Sequence, residues 1–396
     1  MLEEFTVDNF KSLINVTFRP REQNLLLGVN NSGKTNLCQA MRFLSTTAYA
    51  SLDQSAEWTA GGRSTITNRY FAKQTVDFRV RASVPFQQHN ASNEEILSFD
   101  YQLTVSVAKP AQADTHLDVE KETLSVTGTG FDGVTLLENT DEAVRLLHEV
   151  EYFSNHERYV ETTAPRDTTM LNRLYDLKTN PRANRFKEFL AAWKYYSLSS
   201  AVLHGSTHQP NQRLLHVDGS NLGSVIYQLK TADERLYRKL LEYLKRIDPT
   251  IDLINFHVPS EDRVFMFFED SNGKLFPAAS ASSGTLRFLA LLYVLVAQPS
   301  VVPSPFVIIE EPENGIYVGF LKQLLEMVEE VPPRQQVIFT SHSPYFIDLF
   351  DNRLDSIFVM KRGEHHSSIT QPDVEKVKGR LEKFPLGEMH FREMLV

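Results

Sequence analysis

Residues 28–36 read GVNNSGKTN. They follow a short apolar run, NLLLGV, and precede a stretch that places Leu37, Ala40, Met41 and Leu44 at helical spacing. A short apolar run suits a strand buried on both faces, and the later spacing suits an amphipathic helix over 34–44. A glycine loop between such a strand and helix constrains the fold more than any other feature of the chain. It lets backbone N–H groups close around an anion at the positive end of the helix. Gly28, Gly33, Lys34 and Thr35 fill the pattern G-x-x-x-x-G-K-[ST] completely, with Asn30, Asn31, Ser32 and Asn36 as its other members. In that pattern the lysine reaches the β and γ oxygens of a nucleotide, and the threonine hydroxyl ligates Mg²⁺. The lone Cys38, on the same helix, reads as a small core residue.

Three later stretches extend the chemistry. FVIIEEPENG pairs an apolar strand with Glu310 and Glu311, the first suited to a Mg²⁺ shell and the second to orienting or deprotonating a water. ASASSGTLRFLALLYVL sets Ser282, Ser283 and Gly284 at the start of an apolar helix, where hydroxyls and bare backbone can meet an anion. QVIFTSHSPYF puts His342 just past a buried strand, in a position to donate to a phosphate. Singly, these read as a solvated strand end, a helix cap and a loop histidine. Their order after a complete phosphate loop favours the nucleotide-binding reading.

Between these motifs the pattern changes. VDFRVRASV and FDYQLTVSV alternate strictly, with Phe78, Val80, Ala82 and Val84 on one face and Phe99, Tyr101, Leu103, Val105 and Val107 on another. That period predicts antiparallel strands, continued by LDVEKETLSV, with a polar loop over 86–96. From about 140 to 250 the pattern is mostly helical, with breaks at Pro165, Pro181 and Pro210. FKEFLAAWKYY reads as one amphipathic helix, and Ser220 or Asn221 as an N-cap. Thereafter strands and helices alternate: FMFFED, a helix over 285–296, FVIIEE, YVGFLKQLLEMVEE and QVIFTS. The expected domains are 1–140 with the phosphate loop and meander, 141–249 as a helical insertion, and 250–396 with the remaining motifs.

The 396 residues carry a formal net charge of −9, so there is no global basic field for nucleic acid. One cysteine and a start without an apolar h-region lead us to expect a cytoplasmic protein. FLALLYVLVA is shorter than the roughly 18 residues needed to cross a bilayer, so an integral transporter is not expected.

The combination of DNFKSL, GVNNSGKTNLCQAMRFL, DGSNLGSVIYQL, SSGTLRFLALL, IIEEPENG and TSHSPYFID resembles the ABC-type ATPase heads of the RecF, SMC and Rad50 group. It is most similar to stand-alone ATPases related to the OLD proteins. The resemblance covers most of the chain and implies an α/β, ABC-type P-loop head with an antiparallel meander and a helical insertion. It implies ATP and Mg²⁺ as ligands and a homodimer or higher homo-oligomer. Lys34 and Thr35 hold phosphate and metal, and Glu310 and Glu311 form the acidic pair. By the same resemblance, Ser282 and Gly284 are expected to act as a signature turn on a second subunit's γ-phosphate, His342 as the switch histidine, and Lys11 as a basic group near the nucleotide. After EEPENG the group continues Leu-His-Pro, whereas this chain has Ile316, Tyr317 and Val318. Long coiled coils are missing, and about fifty residues follow His342, too few for the Toprim nuclease domain of OLD proteins. The implied role is an ATP-driven switch on a separate effector, a nuclease or toxin, of the kind found in anti-phage defence. A DNA-binding repair ATPase is the alternative, with basic patches at Lys376, Lys378, Arg380 and Lys383 and at Arg182, Arg185 and Lys187. A transporter's motor subunit and a P-loop kinase fit the motifs less well.

Overall fold

The computed structural model describes residues 1–396 except 88–93, 109–115, 141–143, 154–158, 162, 164–165, 177, 206, 209–210, 261–262 and 331–334. Pro165, Pro210 and most of the polar loop expected over 86–96 lie outside the described residues. The chain divides into two compact units. The first contains 1–21, 27–193 and 358–371, and the second 22–26, 194–357 and 372–396.

In the first unit, alternating residues build one antiparallel sheet of eight strands. Its longest members are Thr75–Gln87, Glu94–Ala108 and His116–Gly128, with Leu2–Asp8 beside Thr75–Gln87. Phe78, Val80, Ala82 and Val84 are all buried, as are Phe99, Tyr101, Leu103, Val105 and Val107. Because successive side chains point to opposite faces, this face packs against helices while the other carries Arg79 and Asp100 in an ion pair. The helix Lys34–Thr47 runs one turn beyond the expected end and stacks Phe43 on Phe78 at 5.5 Å. Pro181–Ala191 seats Phe186 against Phe99 and Tyr101.

In the second unit, Lys194–Tyr196, Phe306–Glu310, Gln336–Thr340 and residues 23–26 lie side by side, all parallel. Val307, Ile308, Ile309, Val337, Ile338 and Phe339 are buried, as parallel strands covered on both faces require. A second, antiparallel sheet pairs Ile251–Ser260 with Arg263–Asp270, flanked by Thr207–His208 and Leu275–Pro277.

Several expectations change. FKEFLAAWKYY is not one helix: the helix stops at Ala191, and Lys194–Tyr196 becomes a strand beside Phe306–Glu310. Pairing with a buried strand outweighs the helical pattern that the two tyrosines happen to continue. The stretch from 140 to 250 also holds the short strands Val144–Leu147 and Tyr159–Glu161, which extend the meander. Asn221 occupies the N-cap position of Leu222–Ala232 without capping it, because its Oδ1 accepts from the His216 N–H at 2.7 Å. Finally, FLALLYVLVA is part of a longer helical run, Ser283–Val301, of 19 residues and mean hydropathy 1.4. By length and composition that run could cross a membrane, contrary to expectation. It is 78% buried inside the protein, which is what a core helix shows.

Candidate functional site

The phosphate loop belongs to the first unit. Gly28 and Gly33 have φ of 150° and 106°, and Asn31 has 63°, so the chain curls through left-handed conformations. A Cβ on Gly28 would stand 2.5 Å from the Met360 carbonyl oxygen, and one on Gly33 2.6 Å from Ser367 Oγ. The loop is therefore cradled as well as twisted. Gly33 caps the helix Lys34–Thr47 with no side-chain hydrogen bond, and the first turn carries no acid. Its first N–H groups thus face outward with a partial positive charge, suited to an anion. Lys34 is 7% exposed and arches back over the loop, donating to the carbonyls of Gly28 at 2.6 Å and Val29 at 3.3 Å. Ser32 Oγ is buried without a hydrogen-bond partner, while Asn30, Asn31 and Thr35 are exposed.

The turn bearing Lys11 is tied to the same helix. Asn36 Nδ2 donates to Ser12 Oγ at 2.7 Å, Ser367 Oγ to the same oxygen at 2.8 Å, and Lys11 Nζ to Gln39 Oε1 at 2.6 Å. Burial lowers the Lys11 ammonium from its ordinary range.

The other motifs belong to the second unit. The strand pairs Thr340↔Leu26 and Glu310↔Thr340 put three strand ends side by side. Glu310 and Ser341 therefore lie at one edge of this parallel sheet, beside Leu26. That edge is where open α/β sheets bind ligands. Glu310 Oε2 accepts from the Tyr195 hydroxyl at 2.7 Å, and its Oε1 is buried without a partner. Glu311 has φ of 45°, a strained value for a residue with a Cβ, held by its N–H to the Thr340 carbonyl at 3.0 Å. Its carboxylate accepts from Asn314 Nδ2 at 2.5 Å and stands 3.8 Å from His342 Nε2. Glu313 Oε1 gathers the Ser341 hydroxyl at 2.5 Å and the N–H groups of His342 and Ser343 at 3.1 and 3.3 Å.

Ser282 caps the helix Ser283–Leu292, accepting from the Thr285 N–H at 3.0 Å. Ser282 and Ser283 are exposed, and Ser283 Oγ lies 3.0 Å from His204 Nε2. Deeper in the helix, Arg287 is 4% exposed and bridges the carbonyls of Leu198 at 2.7 Å and Glu311 at 2.9 Å. Burial pulls its guanidinium down, and Glu313 and Glu311 oppose that.

Sequence reading passed over Arg287, Glu313, Tyr195 and His204. Arg287 was detectable as the one charge in TLRFLALLYVL, since a charge amid core residues requires partners. Of the two candidate basic patches, the one at 182–187 is partly buried and the one at 376–383 is exposed but interspersed with acids. Arg182 is buried with its guanidinium 3.8 Å from the Phe153 ring centre, and Lys187 donates to the carbonyls of Asn172 and Leu174. Lys376 and Lys378 each face an acid one turn away, Asp373 and Glu375.

Comparison with known proteins adds three findings. A family model described as "AAA domain, putative AbiEii toxin, Type IV TA system" matches residues 24–348. No curated protein matches the chain significantly. Among solved structures, the SmcHead bound to the C-winged helix domain of ScpA is similar at 12% identity and a TM-score of 0.50, over 95% of this chain and 99% of that one. An Smc head domain with an extended coiled coil from Pyrococcus furiosus, bound to the C-terminal domain of ScpA, matches at 12% identity and a TM-score of 0.46, over 96% and 98%.

Proposed function

The chain belongs to that AAA-domain family and has the fold of an ABC-type SMC head, and from this premise we propose that it is an ATP-hydrolysing switch. One observation carries the reading most: the strand leading into the phosphate loop lies beside the strands that deliver Glu310, Glu311 and His342, all ending at one edge. Lys34 and the N–H groups of the loop bind the phosphates, and Lys11 adds charge nearby. Thr35 and Glu310 would hold Mg²⁺, and the orphaned Glu310 Oε1 fits an acceptor toward the hydration shell that this ion characteristically keeps. When bound, the metal neutralises charge on the β- and γ-phosphates.

Glu311 accepts a proton from the attacking water as its oxygen bonds to the γ-phosphorus and the bond to the bridging oxygen of ADP breaks. His342 donates to the γ-phosphate. Two copies enclose two nucleotides, and Ser282, Ser283 and Gly284 of one copy meet the γ-phosphate bound by the other. Because those contacts exist only in the closed pair, ATP favours closure and hydrolysis releases it. The output is a change of assembly state, read by a separate effector. The effector we propose is a nuclease or toxin, acting in cytoplasmic anti-phage defence, by analogy with the resemblance drawn from the motifs; the family description mentions a putative AbiEii toxin and a type IV toxin–antitoxin system and names no effector.

The test uses the full chain with Glu311→Gln. It is expected to lower ATP turnover about 100-fold or more and to prolong an ATP-dependent dimer in light-scattering chromatography. Normal turnover, or a mass unaffected by ATP, would sink the reading. Pulldown with the same variant plus ATP, read by mass spectrometry, tests for an effector; capture that is equal with and without ATP counts against the switch.

A further inference from the structure

Every contact of the helix Ser283–Leu292 with the loop that follows the acidic strand lies within the second unit. The helix grips that loop at both ends. In its first turn, Gly284 comes so close that a Cβ there would sit 2.7 Å from the Gly315 carbonyl oxygen. One turn later, on the same side, Arg287 holds the Glu311 carbonyl at 2.9 Å and the Leu198 carbonyl at 2.7 Å. Between those grips, Glu313 collects the Ser341 hydroxyl and the N–H groups of His342 and Ser343 on one oxygen. Its other oxygen is buried without a partner, as is Arg287 Nε. Neither side chain touches the carboxylate of Glu311 or the ring of His342 through these bonds. They act on the backbone that carries those groups, at a residue whose φ of 45° would otherwise relax.

We infer that Arg287 and Glu313 are positioning residues: a buried brace that fixes Glu311 and His342 and connects them to the serine–glycine turn. The inference rests on the reading of Glu311 as the proton acceptor. It adds a direction of communication. The turn belongs to the nucleotide bound by the partner copy, whereas Glu311 and His342 belong to the chain's own nucleotide. A shift of the turn on γ-phosphate contact moves Gly284 and Arg287 together, and with them the backbone at Gly315 and Glu311 that they hold. Occupancy of one site thereby sets the geometry of the other.

The experiment compares Arg287→Lys, Glu313→Gln and Glu313→Leu with the unaltered full chain, measuring steady-state ATP hydrolysis and binding of a fluorescent ATP analogue. Arg287 reaches the two carbonyls with separate nitrogens, Nη1 and Nη2, of one planar fork; a lysine's single ammonium on a shorter stem does not reproduce that spacing, and misplacement by about 1 Å can cost on the order of 100-fold in rate. Arg287→Lys is expected to lower kcat by about 10- to 100-fold, with KM and analogue binding within about twofold. Glutamine retains the accepting oxygen of Glu313, and its NH₂ replaces only the unpartnered one. Glu313→Gln should therefore keep kcat within about threefold, whereas Glu313→Leu should fall like Arg287→Lys. A kcat for Arg287→Lys within twofold of normal overturns the brace. So do equal losses in Glu313→Gln and Glu313→Leu, which decide the matter if Arg287→Lys does not fold. Glu311→Gln separates the two levels. If it turns over normally, the assignment of Glu311 has failed; if it is inactive while Arg287→Lys is normal, only the brace has.

Discussion

Glycines illustrate how position, not residue type, sets consequence. Gly28 and Gly130 both have positive φ, 150° and 85°. A methyl group on Gly130 meets nothing within 4 Å, whereas one on Gly28 runs into the Met360 carbonyl at 2.5 Å. Gly130→Ala should cost only the backbone strain, about 1 kcal/mol. Gly28→Ala must also shift a backbone carbonyl, so we expect a loss of about 2–4 kcal/mol and of nucleotide binding together. Chemical denaturation and an ATP-analogue titration check both. Equal stability losses in the two variants would mean that the phosphate loop is not cradled as described. Lys34→Ala should behave differently, since its ammonium serves the loop's carbonyls and, on our reading, the phosphates. Binding should fall by at least about 100-fold, with a smaller stability loss of about 1–3 kcal/mol from the Gly28 and Val29 carbonyls left without their donor.

At the scale of elements, what could be read from the sequence depended on whether a segment's local pattern agreed with its surroundings. The strict alternation of Phe78 to Val84 and of Phe99 to Val107 gave the meander, because one wet face forces period two. The buried runs NLLL, FVII and QVIF gave the parallel strands. Lys194–Tyr196 was misread because three residues carry too little periodicity to reveal a strand, and its identity comes from pairing over 110 residues away in sequence, Lys194 with Val307. The site divides in the same way. Lys34, Glu310, Glu311 and His342 stand in local motifs, but the bond from Arg287 to Glu311 depends on tertiary approach and leaves no local pattern. The serine–glycine helix offers a test at this scale. Ser282 caps it and is also a proposed phosphate contact. Ser282→Ala should cost about 1 kcal/mol through the cap, while Ser282→Asp, also a good cap, should preserve stability and repel a phosphate. A thermal melt with an ATPase assay separates the roles: if Ser282→Asp retains full activity, the turn does not meet phosphate.

For the whole molecule, pH reports on two buried carboxylates that the proposed chemistry does not use. Glu122 is fully buried, accepting from the Tyr101 hydroxyl at 2.9 Å and from the N–H groups of Met170 and Leu171 at 2.6 and 3.0 Å. Glu149 is buried at the start of Pro181–Ala191, accepting from the N–H groups of Arg182 and Ala183 at 2.7 and 2.9 Å. Burial raises both to about 7 despite these donors, from an ordinary 4.5. Between those values the folded protein binds protons that the unfolded chain releases. Their contribution to stability is full below about pH 4.5 and is lost as pH rises through 7. The acids Asp176, Asp270 and Asp373 are held low by hydrogen bonds, so their contribution is lost only in acid, below their ordinary 3.8. Stability should therefore decline from pH 5.5 to 8 by an amount on the order of a few kcal/mol. Glu122→Gln tests the source. It loses the acceptor facing Met170, at a cost of about 1–3 kcal/mol at pH 5.5, but it has no charge to bury at pH 8. The gap between variant and unaltered protein should thus narrow as pH rises. A constant gap from pH 5.5 to 8 in denaturant titrations would show that Glu122 does not titrate in that window.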